Sequence, residues 1–337
     1  MNLRLYLLRR VLLVIPLLIG LSLLTFTVSR VLPGDPVGLA AGPQSTPEIR
    51  DRLARDFGLD QPLPIQYVNY IAGLLRGDWG QSLYSRRLVA DDLRTYFPAT
   101  LELTAVAILF AAALGIPAGI VSAIYRDKFP DQLTRLIALF FVSFPAFWLA
   151  MIFQSIFGVT LDLLPIGKRF DVLIPPPASI TGLYLLDSLL RLDFRSFGIA
   201  LSHLLTPALV LSFGALASVT RITRAAVLEG LDKDYVRMER AIGIPDRVIL
   251  TKYVLRGAFI AILTIIALEF GWLMAGAVLV ETIFDYPGLG LYAVESSLRL
   301  DFNPIMGITI LYGIVFSIIN IATDIAYGII DPRIRYG

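Results

Sequence analysis

No cysteine occurs among the 337 residues, and histidine occurs once, at His203. The first absence excludes disulfides, thiolate metal sites and a cysteine nucleophile. The second leaves too little material for a histidine-built metal site or a catalytic triad, so no metal is expected. Charge is scarce as well. Asp, Glu, Lys and Arg make up 17% of the chain, against about a quarter in a soluble domain. Net charge is only +2, so no global field favours nucleic acid. Two chemical signatures are missing: the phosphate loop G-x-x-x-x-G-K-[ST] and the zinc pattern H-E-x-x-H. Hydrolysis of ATP by the usual route is therefore not expected of this chain, and no nucleophile–base pair stands out for an intramembrane enzyme.

What the sequence does hold is long apolar runs. A bilayer core about 30 Å thick needs roughly 20 apolar residues at helical rise. Six segments qualify. Val11–Val28, Thr104–Tyr125, Leu136–Leu161 and Pro304–Thr323 carry no charge; Phe197–Thr220 holds only His203, and Gly257–Val280 only Glu269. These predict an all-α membrane protein with six transmembrane helices. Pro16, Pro117, Pro145 and Pro207 lie inside the runs, where neighbouring helices re-satisfy the freed backbone groups. Arg4, Arg9 and Arg10 precede the first run, as in a signal peptide. Its length and the lack of a small-residue cleavage site favour a permanent first helix.

Lys and Arg in short flanks set the orientation. They gather at the N-terminus, at Arg126, Lys128 and Arg135, along Arg221–Arg256, and at Arg333 and Arg335. With six spans these regions share one side, which places both termini in the cytoplasm. The chain then divides into a cytoplasmic N-terminus with the first helix (1–28), an extracytoplasmic loop (29–103), and a core of five helices (104–337) that includes the cytoplasmic segment 221–256. The loop is structured. Thr46 and Pro47 read as a helix start, and Ile49, Leu53 and Phe57 recur at four-residue spacing before Gly58. A second short helix is expected over 65–76, and another around 184–192.

Segment 221–256 is too long for a turn. Asp232 or Asp234 can cap a short helix through Ile242, Gly243 supplies a left-handed stop, and a second helix leaves from Pro245. Val236 and Ile244 are available to dock. Read without further context, this is either a basic loop obeying the positive-inside rule or a helix held along the membrane surface.

The stretch Tyr235-Val-Arg-Met-Glu-Arg-Ala-Ile-Gly243, with Leu255 twelve residues beyond the glycine, resembles the EAA loop of ABC importer permeases. So do further pieces, in order, for the dipeptide/oligopeptide/nickel branch of that family: Pro33-Gly-Asp-Pro36, Gly58-Leu-Asp-Gln-Pro62, Gly77-Asp-Trp-Gly80, Pro98-Ala-Thr-Leu-Glu-Leu103, Ser143-Phe-Pro-Ala-Phe-Trp148, the long Gly276–Gly290 stretch and Asp331-Pro-Arg333. The insert at Thr181–Asp187 is most similar to the dipeptide-permease side. The loop departs from the family pattern at Glu239, Ile242 and Arg256.

The resemblance implies the type I importer permease fold, in the prokaryotic inner membrane. It implies a second homologous permease subunit, two ABC ATPase subunits that hold ATP and magnesium, and an extracytoplasmic solute-binding protein, with no cofactor on this chain. It assigns the ATPase-coupling contact to Tyr235, Val236, Arg237, Glu239, Arg240, Ala241, Gly243, Ile244 and Leu255. The solute would be a dipeptide, an oligopeptide, a nickel complex or another small molecule.

The competing reading is a stand-alone ion-coupled transporter, which would need several intramembrane ionisable groups. Only Glu269 and Asp324 are candidates. Glu269 either lines the solute path or is a neutralised, packed carboxyl. Glu281 either shapes an outer gate or caps local backbone. His203 reads as an interfacial hydrogen-bonding residue, since no second ligand supports a metal.

Overall fold

The computed structural model describes residues 3–31, 36–42, 45–56 and 58–330. Residues 32–35 and Asp331-Pro-Arg333 of the matching pieces, together with Phe57 and Arg335, lie outside the described residues, as does the side chain of Arg4. Among the described residues the regular elements are helices, apart from one isolated antiparallel bridge between Gln81 and Leu88. They are α1 (Leu3–Val31), α2 (Pro36–Ala41), α3 (Pro47–Asp56), α4 (Leu63–Leu75), α5 (Val89–Ile124), α6 (Phe129–Ser143) and α7 (Ala146–Phe153), then α8 (Tyr184–Leu190), α9 (Phe194–Leu231), α10 (Asp234–Ala241), α11 (Asp246–Val248), α12 (Leu255–Ile283), α13 (Leu289–Leu298) and α14 (Phe302–Ile330). Wider π-turns extend α7 over Gln154–Thr160 and join α11 to α12 over Ile249–Val254.

Five helical stretches are long and apolar enough to cross a bilayer by themselves: 9–30, 89–124, 194–231, 246–283 and 302–329. The third apolar run differs from the sequence expectation of one straight helix. It is two helices bent by 96°. The break falls at Phe144, which is extended (φ −99°, ψ 140°) ahead of Pro145. Proline lacks an N–H and disfavours helical backbone in the residue before it, so the ladder stops there.

The ends of this bent pair show that it still crosses. Asp131, in the first turn of α6, accepts hydrogen bonds from Ser122 near the end of α5 and Arg224 near the end of α9. Beyond α7, the Gln154 amide donates to the carbonyls of Ile166 and Ile283, at the far end of α12. α12 runs opposite to α5 and α9, since its start packs near Gly230 and Glu281 near its finish bonds to Thr100. The pair therefore joins one end of the bundle to the other, and the described residues traverse the bundle six times. Below, the basic end is the one that carries α10.

Counting apolar residues undershoots two helices. α5 begins at Val89, so residues 89–103, placed in the loop by their charge, form its outer turns. α9 continues to Leu231 through Arg221 and Arg224. Charges end an apolar run but not a helix when they pair or reach water.

The centre of the bundle is the α5–α9 contact, with α12 laid across it. Small residues permit it. A Cβ on Gly119 would stand 2.6 Å from the Thr220 carbonyl oxygen, and one on Gly115 would stand 3.1 Å from that of Leu216. This is the small-xxx-small approach of membrane helices, where packing replaces the hydrophobic drive available in water. At the periphery α1 packs on α14, tied near the basic end by Arg10 to Asp324, 2.9 Å.

Gly119→Ala should therefore overpack the α5–α9 seam, at a cost of about 1–3 kcal/mol. The expected result is a lower Tm in detergent by tryptophan fluorescence. Gly198→Ala, on α9 but with nothing within 4 Å of its Cβ position, should match wild type. Equal Tm values for both variants would contradict this seam.

Candidate functional site

At the basic end α9 stops at Leu231, and after one extended residue, Lys233, α10 begins. Capping by Asp232 or Asp234 is not what starts it. Asp232 closes α9, Lys233 takes the N-cap position without a side-chain cap, and Asp234 sits in the first turn, where its charge suits the helix dipole. Val236 is fully buried. With Ile244 and Leu255 it joins an apolar cluster containing Val227, Ile249, Val254 and Ala258. The helix thus docks inward through Val236 and shows solvent Tyr235, Met238 and Ile242, at 38, 59 and 68% exposure. Arg237, Arg240 and Ala241 are exposed beside them, and Glu239 is half-buried.

Gly243 ends the helix with φ +83°. Its N–H donates to the Arg240 carbonyl and that of Ile244 to the Glu239 carbonyl, both at 3.0 Å. This is the left-handed stop that only glycine adopts without strain. Arg240 reaches across the turn to Asp246 at 2.9 Å. The result is a short helix fixed at both ends, with an apolar patch facing outward.

Between α6, α9 and α12 lies a groove of about 710 Å³. Arg135, Gly214, Ala217, Ser218, Arg221, Glu269 and Trp272 line it. Glu269 is half-buried and makes no hydrogen bond or ion pair among the described residues. Within the described residues no neighbouring helix satisfies its carboxyl. Arg224 also lines the groove but is occupied by Asp131, with bonds of 2.8 and 2.7 Å. Asp131 is fully buried and receives further bonds from Ser122 and the Asp127 N–H. Removing one partner of such a pair costs about 3–5 kcal/mol. Next to the groove residues Val142 and Gly214, Phe141 and Phe213 stack at 4.0 Å, with Phe153 against Phe213.

The opposite end is fastened by buried polar groups. Glu281 is fully buried. It accepts from the Thr100 hydroxyl at 2.6 Å and from the N–H groups of Gly290 and Leu291 at 2.6 and 3.0 Å. It therefore anchors the N-terminus of α13 onto α5, which is the backbone-capping alternative. A Cβ on Gly288 would collide with its carboxylate. Beside it Arg169 donates to Glu102 at 2.8 Å and to the Gly182 carbonyl at 2.7 Å, with its guanidinium 3.8 Å from the Tyr184 ring centre. Burial pushes the neighbouring Tyr286 phenol well above its usual range, and Arg169 works against that.

Burial also pushes the Asp187 carboxyl up. The Thr181 hydroxyl and the N–H groups of Thr181, Ile180 and Gly182 outweigh that and hold it below the usual carboxylate range. Together these bonds clamp loop 161–193 over the ends of α5, α9 and α12. His203 belongs to the same clamp, with Nδ1 2.9 Å from the Gly167 carbonyl oxygen.

The structure brings Val236, Gly243, Ile244 and Leu255 together at the basic end, while Glu269 and Glu281 sit apart, one in the groove and one in the clamp. Asp324, the second ionisable candidate for an ion-coupled transporter, is held by Arg10. Sequence reasoning missed Arg221, Asp131–Arg224 and Glu102–Arg169. The one available signal was charge at the flanks of apolar runs, which names residues but not partners.

Two family patterns match. "Binding-protein-dependent transport system inner membrane component" covers residues 115–336, and its N-terminal companion covers residues 3–104. Among curated relatives, the probable D,D-dipeptide transport system permease protein DdpB of Escherichia coli is 42% identical, over 94% of this chain and 94% of that protein. The dipeptide transport system permease protein DppB of Alkalihalophilus pseudofirmus is 38% identical, over 98% and 99%. The glutathione transport system permease protein GsiC of Escherichia coli is 36% identical, over 98% and 99%. A chain of the inward-facing MetNI methionine ABC transporter superposes with a TM-score of 0.53 at 16% identity, over 69% of this chain and 93% of that one, which shows the shared fold.

The contrast between the two glutamates is testable. Glu281→Ala leaves Thr100 and the first N–H groups of α13 without an acceptor, at about 1–3 kcal/mol. It should lower Tm, and Gly288→Ala should do the same by displacing the carboxylate. Glu269→Gln should leave Tm at the wild-type value. A large drop for Glu269→Gln, or none for Glu281→Ala, would reverse these assignments.

Proposed function

Because the chain belongs to the binding-protein-dependent transport system inner membrane component family, we propose that it lines half of the channel of an ATP-driven importer of short peptides. The chain is the membrane subunit of an ABC importer. The observation that carries the peptide reading is kinship over nearly the full length with permeases named for D,D-dipeptides, dipeptides and glutathione, all of them short peptides.

In this reading the protein sits in a prokaryotic inner membrane with α10 and both termini in the cytoplasm. Its partners are a second homologous permease subunit, a pair of ATPases that hold ATP and magnesium, and a solute-binding protein on the outer side. The chain itself holds no cofactor. α10 receives the ATPase stroke. Its outward patch of Tyr235, Met238 and Ile242 suits a hydrophobic groove on a partner. Val236, Ile244 and Leu255 pass the displacement into the starts of α12 and the end of α9. The groove with Glu269 is the solute path, and the Glu281 clamp closes the outer end. A stand-alone ion-coupled transporter is disfavoured, because of its two candidate carboxylates Asp324 is paired with Arg10, which leaves Glu269 alone.

Orientation is checked with single cysteines, which the chain otherwise lacks. Cysteine at Leu173, 93% exposed in loop 161–193, should react with an impermeant thiol reagent in intact cells or spheroplasts. Cysteine at Ile242 should react only after lysis. Labelling of Ile242→Cys from outside would invert the topology.

Coupling is checked with Gly243→Val. A β-branched residue resists φ +83°, so the turn distorts and α10 is misplaced. The variant should insert normally. It should either lose the ATPases on gentle purification or keep them while hydrolysis no longer responds to the loaded binding protein. In proteoliposomes, vanadate-sensitive dipeptide uptake should fall at least about tenfold, the effect of ~1.4 kcal/mol. Normal attachment and uptake in this variant would remove α10 from the coupling path. No ATP-dependent dipeptide uptake by the wild-type assembly would remove the peptide reading.

A further inference from the structure

Besides the paired Arg224, the groove between α6, α9 and α12 presents three charged side chains, one from each helix. Arg135 belongs to α6, Arg221 to α9 and Glu269 to α12. None has an ion-pair or hydrogen-bond partner among the described residues. Both arginines are exposed and the glutamate is half-buried. Arg221 lies ten residues before the end of α9 at Leu231, or about 15 Å at helical rise. It follows directly on the apolar run 197–220, at its basic-end edge, whereas Glu269 stands midway along the apolar run 257–280. An ionisable group at the depth of Glu269 is costly, so it faces a bundle interior or a wet cavity and marks a solute or ion path. Arg224, one turn nearer the basic end than Arg221, differs in being paired bidentately to Asp131.

The remaining lining is small or apolar, with Ala138, Gly214, Ala217 and Ser218 leaving the middle open and Trp272 beside Glu269. A cavity of about 710 Å³ falls within the usual range for small-molecule sites. Apart from Arg224, which Asp131 occupies, it has two cationic side chains, one anionic side chain and a middle lined by small side chains. We propose that this groove holds a short peptide by its two charged ends. Arg221, supported by Arg135, receives the terminal carboxylate, and Glu269 receives the terminal ammonium.

Guanidinium groups suit a carboxylate because their fork matches its two oxygens. One carboxylate suffices for an ammonium. Recognition through the backbone ends leaves the peptide's side chains in the permissive middle, so the groove accepts varied sequences but not blocked termini. The contacts are few and partly hydrated, which favours release, as conduction requires. The inference rests on the peptide-importer reading and adds to it the chemistry that recognises the solute inside the membrane.

The test uses the assembled transporter in nanodiscs, with both permease subunits and the ATPases but without binding protein or nucleotide. Three probes are titrated by saturation-transfer NMR: alanyl-alanine, its N-acetyl form and its C-terminal amide. Wild type should bind the free dipeptide about tenfold more tightly than either blocked form, the ratio that ~1.4 kcal/mol gives. Glu269→Gln should abolish the preference over the N-acetyl form and keep the preference over the amide. Arg221→Gln should do the opposite, and Arg135→Gln should weaken the same preference by a smaller factor. Arg221→Lys and Glu269→Asp should restore each preference in part.

Equal affinity of wild type for the three probes, no binding by wild type, or a uniform loss of all three in a variant would overturn the proposal. So would loss of the second permease subunit from Glu269→Gln or Arg221→Gln on size exclusion, which would make these charges subunit contacts. ATP-driven uptake of alanyl-alanine by the wild-type assembly with its binding protein is measured in parallel. Failure there sinks the peptide reading itself, whereas uptake with a flat probe series sinks only the assignment of the groove.

Discussion

The close approach of α5 and α9 at Gly115 and Gly119 is the constraint on which the rest of the bundle depends. It leaves no room for a side chain between the two backbones, so the pair behaves as one thick strut. Both ends of the bundle are fastened to it. Thr100 and Glu102 on the outer part of α5 hold α13 and loop 161–193. Ser122 near its inner end and Arg224 on α9 hold the start of α6. The groove lies along one side of α9. Relative motion of α6 or α12 against this strut changes the groove without disturbing the seam.

The two ends are fastened differently. The end away from α10 relies on carboxylates fully or nearly removed from water, at Glu281, Glu102 and Asp187, each with more than one donor. Such networks have few alternative arrangements, because a half-satisfied member is costly. The basic end relies on bidentate arginine–aspartate pairs, Asp131–Arg224, whose arginine is partly exposed to the groove, and Arg10–Asp324 at the periphery. In the coupling proposed for α10, a stroke would reach the apolar cluster of Val236, Val254 and Ala258 and so act first at the basic end.

Much of this architecture was legible in the sequence. The six crossings follow from run length alone, and Gly243 announced its own backbone conformation by its place between Ile242 and Pro245. Pro145 sat in plain view, but a charge-free run does not say whether proline kinks a helix or breaks it, and here it broke. Helix limits were misjudged at Val89–Leu103 and Arg221–Leu231 because hydropathy detects lipid contact, while helices continue as long as their backbone is satisfied. The ion pairs were hidden for a different reason. Glu102 and Arg169 are separated by 67 positions, and Asp131 and Arg224 by 93, and nothing local to either residue points to the other. The charges of the groove were partly legible, since Glu269 stood alone in an apolar run, whereas Arg221 was absorbed into a basic flank.

Arg10 and Asp324 are 314 positions apart, nearly the whole length of the polypeptide. Chains are made from the N-terminus, so α1 is made long before its main neighbour, α14. Until α14 is made, α1 lacks the helix it packs on, and the guanidinium of Arg10 lacks the carboxylate of Asp324. The order of synthesis therefore makes the α1–α14 contact a late step of assembly, later than the α5–α9 seam around which the bundle is built.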